Sequence, residues 1–189
     1  GVVDTDNLDF EGEELTILVR DNVICSREWH KDSPEDELDE AVAMRNAAVE
    51  QTLNLTMSYE MVPDASYDTF AANFNGMITD DIVSDMHYYD IAANFAYAGA
   101  YPVVRDYAAD LNNKEVFPYF DFTLPCWNQS IVNNTTMNGR LHYVSGDLNL
   151  SMFDAAMVIW YNKTLYDEKK EDTDPENIQT HALAGLWTY

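Results

Sequence analysis

Short β-branched apolar runs alternate along this chain with stretches in which apolar residues return every third or fourth position, and the alternation predicts an α/β fold. Residues 15–19 (LTILV) form a compact apolar run bounded by charge, the pattern of a parallel strand buried on both faces. Ser33, Pro34, Glu35 and Asp36 then read as a helix start, with a serine cap, proline in the first turn and acids at the positive end of the dipole. Ala41, Val42, Met44, Ala48, Val49, Leu53 and Leu55 continue that helix as an apolar stripe. A strand over 56–62, a helix over 67–77, a short strand over 82–87 and an Ala-rich helix over 91–101, stopped near Gly99 and Pro102, extend the alternation. This order predicts a doubly wound, mostly parallel sheet. Residues 114–138 follow as a loop-rich connection containing Pro118 and Pro125.

Composition narrows the class. The 189 residues suffice for a real core, and 47% hydrophobic content with 13% aromatics excludes a disordered chain despite a net charge of -24. Thirty-four acidic against ten basic side chains make nucleic acid and anionic membrane surfaces unfavourable partners, since both need basic patches. The acidity gives a strongly hydrated surface; the rival reading is attraction for a cationic solute such as a polyamine or basic peptide. No apolar run reaches the length needed to span a bilayer. The opening GVVDTDNLDFEGEE is acidic and suits a tether between a lipid anchor and a folded domain, with any export leader already removed.

Motifs for catalysis are missing. His30, His87, His142 and His181 have no zinc-ligand spacing, and there is no nucleophile elbow, phosphate loop or dinucleotide fingerprint. The expectation is a non-catalytic protein with no cofactor and no metal. Cys25 and Cys126 would close a long loop if bridged, but two cysteines without a framework pattern do not establish that they meet. The sequons at Asn54, Asn128, Asn134, Asn149 and Asn162 read as chance in an Asn- and Thr-rich chain, with structural roles at Asn54 and Asn162.

Residues 139–163 (GRLHYVSGDLNLSMFDAAMVIWYNK) hold two β-like runs around a polar corner. They resemble the hinge crossing of the family-1 extracellular solute-binding proteins of bacterial ABC importers. There the chain leaves lobe one on a G-K-L-Y-x-V-P strand, matched by Gly139, Leu141, Tyr143 and Val144, and enters lobe two on a strand ending Y-Y-N-K, matched by Trp160, Tyr161, Asn162 and Lys163. Ser145, Gly146 and Asp147 replace the usual proline corner. The segments ELTILVRDN, DEAVAMRNAAVEQTLNL and DIVSDMHYYD also resemble that family in order and spacing, most closely a subgroup common in Firmicutes. Full members run to about twice this length. The resemblance therefore implies the amino-terminal part of a two-lobed, type II periplasmic-binding-protein-like chain: a tether over 1–13, lobe one over 14–147, and the crossing with the start of lobe two over 148–189. It further implies an extracellular, lipid-anchored protein that binds a small solute, a sugar or oligosaccharide, and delivers it to a membrane permease. A cell-surface adhesion domain reusing the lobe is the alternative.

In an open α/β sheet, ligands sit outside the carboxyl ends of the strands. That rule selects Arg20, Asp21 and Asn22 after the first expected strand and Tyr88, Tyr89 and Asp90 after the third. The crossing adds Asp147, Asn149 and Asp154, and Trp29 and Trp127 lie on loops within reach of the same rim. Tyr88 and Tyr89 are either stacking platforms for a sugar ring or packing residues, and Asp90 is either a hydroxyl acceptor or the cap of a helix from Ile91.

Overall fold

The computed structural model describes residues 8–64, 66–154, 160–171 and 177–186. Strand β1 (Glu13–Asp21) is the centre of a three-stranded parallel sheet of order β2-β1-β3, with β2 (Leu55–Pro63) on one side and β3 (Ile91–Ala93) on the other. Register sets Ile17 beside both Tyr59 and Ile91, and Val19 beside both Met61 and Ala93. Side chains alternate across the pleat, so Ile17 and Val19 point to one face and Leu18 to the other.

Each face has its own helix. On the Ile17 face, α1 (Glu37–Leu53) holds β2 through Asn46, whose amide donates to the Tyr59 hydroxyl at 3.0 Å, and through Glu50, whose carboxylate accepts the Met57 N–H at 2.8 Å. On the Leu18 face, α2 (Tyr67–Ser84) buries Phe70, Phe74 and Ile78, one turn apart, against Leu18 and Val62. Helix α3 (Ala96–Val104) packs along α2 and closes this core with Ala98. The chain steps from β1 to β2 in one direction and returns past β1 to β3 in the other. Right-handed connections then require α1 and α2 on opposite faces, the arrangement observed.

The sheet and its two covering layers follow the expected α/β pattern, with differences at element ends. Helix α1 begins at Glu37, capped by Asp36, which accepts the Leu38 and Asp39 N–H groups, so Ser33 and Pro34 precede it. Helix α2 continues through 82–84, where a strand was expected. The physical reason is Asp81: the stripe of Phe70, Phe74 and Ile78 arrives next at this buried carboxylate, so the helical period vanishes from the sequence while the helix goes on. Residues 91–93, expected to open a helix, are instead β3, whose three residues are too few to display alternation.

Beyond α3 the chain to residue 147 is mainly irregular, and the expected strand over 139–144 does not join the sheet. Leu141 is fully buried, its N–H donating to the Asp110 carboxylate at 3.0 Å while its carbonyl accepts the Leu111 N–H at 2.7 Å. Asn128 caps the short helix α4 (Gln129–Thr135), and α5 (Ser151–Asp154) follows the 146–150 corner. The second expected hinge strand lies largely outside the described residues. Both cysteines are free thiols.

The chain divides into two compact units, Gly1–Ala155 and Ala156–Tyr189. In the second, Asn162 caps α6 (Lys163–Lys169) by accepting the Leu165 N–H, and Tyr161 meets Tyr166 edge to face at 6.0 Å. Asn177 caps α7 (Ile178–Leu183) in the same way. Asn54, in the left-handed region at φ 50°, ends α1 and donates to Asp9, so it and Asn162 both serve as helix caps.

Candidate functional site

Strand β1 leads to α1 on one face of the sheet and β3 leads to α3 on the other, so the loops after these neighbouring strands diverge at their carboxyl ends, the switch point of the strand order. Arg20 stands there, only 9% exposed. Its guanidinium pairs with Asp64 at 2.8 Å, and Asn22 donates to the same carboxylate oxygen at 2.8 Å. Those two partners, Arg20 first, hold the Asp64 carboxyl below the usual carboxylate range. The guanidinium carbon also lies 4.7 Å from the Phe95 ring, 5.0 Å from Tyr67 and 5.1 Å from Phe70. Cys25 Sγ lies 4.0 Å from Arg20 Nη1, and burial pushes its thiol up.

Two donors in this region lack acceptors: Arg20 Nε and Asn94 Nδ2 are both buried without a hydrogen-bond partner. The pairing of Val19 with Ala93 places Asn94 level with Arg20 at the ends of adjacent strands. Aromatic rings flank them. Tyr97 stacks on Phe95 at 6.0 Å and Tyr67 meets Phe95 edge-on at 5.5 Å, yet Tyr67 and Tyr97 remain 64% and 66% exposed.

On the other face, an open depression of about 580 Å³ is lined by Asp21, Ser26, His30, Lys31, Asp32, Tyr59 and Met61. His30 stacks on Tyr59 at 4.6 Å. Lys31 is engaged by Glu35 and Asp39, and Arg27 by Asp36 and Asp39. The Glu35 N–H, followed by Arg27 and Lys31, holds the Asp39 carboxyl at about 2 against burial, which acts to raise it.

That depression of the Asp39 value has a sign. A carboxyl more acidic in the folded state stabilises the fold above its unfolded value near 4 and loses that contribution as pH falls towards about 2. The urea midpoint is therefore expected to drop between pH 4 and pH 2, and to drop less steeply in Asp39→Asn. Identical slopes in the two proteins would show that Asp39 is not the group responsible.

The residues expected at the rim divide into two sets. Asp21 and Asn22 stand at the carboxyl edge. Trp29 follows on the loop after β1, its carbonyl accepting from Asn46 at 2.7 Å. Glu28, 4% exposed, ties this loop to the 146–151 corner: one oxygen accepts from Asn149 Nδ2 at 3.1 Å and the other from the Ser151 N–H at 2.8 Å. Trp127 bridges Gly146 backbone to backbone and packs edge-on against Phe120 and Phe122, while the exposed Asp147 donates its N–H to the Cys126 carbonyl. Asp154 closes α5.

Tyr88, Tyr89 and Asp90 belong to the opposite end of the sheet, because they precede β3 instead of following a strand. Tyr88 is exposed, and Tyr89 packs against the core beneath α2. Asp90 caps no helix: its carboxylate accepts the Thr16 N–H at 2.8 Å and its own N–H donates to the Thr16 carbonyl. The rule about carboxyl ends, applied to the true β3, selects Asn94 and Phe95. Glu28 carries no sequence signal, since its partners lie more than a hundred residues away.

No family model, curated protein or solved structure matches the chain. Among the described residues no group of His, Cys, Asp and Glu is arranged to hold a metal ion. The edge itself carries buried hydrogen-bond donors and exposed aromatic rings.

Proposed function

We propose that this chain is the first lobe of an extracellular solute-binding protein, of the type II two-lobed kind, which captures a sugar or oligosaccharide and presents it to the permease of an ABC importer without chemical change. The observation that carries the reading is the β2-β1-β3 order, with hydrogen-bond donors and exposed aromatic rings gathered at the carboxyl ends of β1 and β3. Glu28 adds to it by fastening a loop at that edge to the 146–151 corner. Closure on a ligand would then be felt at the crossing. Among the described residues no helix is long and apolar enough to cross a membrane, and attachment outside the cell would come from a lipid anchor.

A cationic solute is the second reading, favoured by Asp21 and Asp32 in the depression beside β1 and by the net charge of -24. A thermal-shift screen of the full-length protein against saccharides, polyamines, peptides and divalent cations tests both, because a ligand of the native state raises the melting temperature by mass action. A shift with one saccharide class is the expected result. Silence across the panel from a folded protein would overturn solute capture and favour an adhesion module.

A further inference from the structure

Glycine follows asparagine at Asn75 and at Asn138, and the fold treats the two pairs oppositely. Asn75 and Gly76 lie inside α2, where the Gly76 N–H belongs to the helical hydrogen-bond ladder. Asn138 and Gly139 are the central residues of a tight hairpin, with φ of 52° and 79°, the left-handed pair of a type I′ turn. Met137 and Arg140 close it by exchanging two N–H···O bonds of 2.9 Å. This hairpin joins no sheet, and both turn residues are exposed. Among the described residues neither the Asn138 carboxamide nor the Gly139 N–H has a hydrogen-bond partner. A lone two-stranded pair is marginal in water, so it opens far more often than a helix packed on the core.

We propose that Asn138 is a site of spontaneous deamidation, with the Gly139 backbone nitrogen as nucleophile. When the hairpin opens and base takes up the Gly139 amide proton, that nitrogen attacks Asn138 Cγ. The Cγ–Nδ2 bond breaks, the proton returns to the leaving nitrogen, and ammonia departs from a five-membered succinimide. Gly139 has no Cβ to hinder this approach. Water then opens the ring: addition at Cγ gives aspartate, and addition at the main-chain carbonyl gives isoaspartate. The balance is one water taken up and one ammonia released, with a new carboxylate on the turn. Aspartate tolerates the left-handed region as asparagine does, so that product keeps the turn. Isoaspartate lengthens the main chain by a methylene, and a two-residue loop no longer fits the Met137–Arg140 pairing. It also displaces the Gly139 carbonyl, which accepts from Asn112 Nδ2 at 2.9 Å. This site is independent of the solute-capture reading.

The test ages the full-length protein, warm, in mildly alkaline and mildly acidic buffer, and follows each asparagine by peptide mass spectrometry, with fragmentation to separate aspartate from isoaspartate. In the native protein Asn138 is expected to exchange NH for O at least about tenfold faster than Asn75, because α2 opens more rarely than the hairpin. The rate should rise in alkaline buffer, where the attacking nitrogen loses its proton more readily. In denaturing urea the two sites should react alike. Asn138→Gln, which would have to close a six-membered ring, should cut modification at 138 by at least about tenfold at an unchanged opening equilibrium. Amide exchange at Arg140 should be faster in the isoaspartate fraction and parental in Asn138→Asp. An Asn138 that reacts in urea but stays intact in the native protein overturns the proposal, because the turn would then protect it. Equal native rates at Asn75 and Asn138 overturn it too, and parental Arg140 exchange in the isoaspartate fraction overturns the effect on the hairpin.

Discussion

Phe70→Ala is expected to destabilise the protein by roughly 3–5 kcal/mol, the range for removing a large side chain from a closed core. Phe70 is fully buried, packs on Phe74 at 5.2 Å and on Phe95 at 5.5 Å, and lies 5.1 Å beneath the Arg20 guanidinium. Truncation therefore leaves a void and removes one of the rings that compensate a buried cation for lost hydration. The void adjoins the Arg20–Asp64 pair, so water would enter where that pair is now shielded. Urea denaturation measures the loss. Tyr88→Ala is the internal control: the residue is 57% exposed, and removing its ring should change stability by less than about 0.5 kcal/mol. Comparable losses in the two variants would mean that the Leu18 face is not the main core.

The contrast between those two aromatics shows what the sequence made legible. β1 and β2 were readable because their apolar runs are long, β-branched and bounded by polar residues. The layer on the Leu18 face was harder, because Asp81 occupies a stripe position of α2 and spends its carboxylate on the Tyr88 and Tyr89 N–H groups just past the helix end. Ending the helix at residue 77 and taking 82–87 as a strand moved the third carboxyl end to Tyr88–Asp90. The edge actually lies at Asn94 and Phe95, after three residues with no visible period. Arg20, Asp21 and Asn22 stand at the carboxyl end of β1 as expected, because their strand was placed correctly, whereas the contacts of Arg20 with Asp64 and Phe95 come only from the fold. Local pattern thus located the carboxyl end of β1, whereas that of β3 depends on how α2 ends.

Glu28→Ala is expected to cost roughly 3 kcal/mol, in keeping with the loss of two hydrogen bonds to a buried carboxylate. Release of a desolvated charge opposes that loss, but the remaining groups decide the balance. Asn149 Nδ2 and the Ser151 N–H would lose their acceptor together, and the field of Glu28 on Arg45, whose guanidinium donates to the Glu28 carbonyl at 2.7 Å, would disappear. Glu28→Gln separates charge from hydrogen bonding. Its amide supplies one acceptor oxygen but turns an NH₂ group towards a donor, so one of the two contacts must break whichever way the amide is oriented. The corner has little room to adjust, because Gly146 lies so close to the Cys126 carbonyl that no side chain fits between the two backbones. Amide exchange gives the local readout: the Ser151 N–H should exchange faster in both variants while the amides of β1 stay protected. If Ser151 exchanges at the parental rate in Glu28→Ala, the corner is held by the Trp127–Gly146 bridge and the Cys126–Asp147 hydrogen bond, and Glu28 does not transmit motion from the loop after β1.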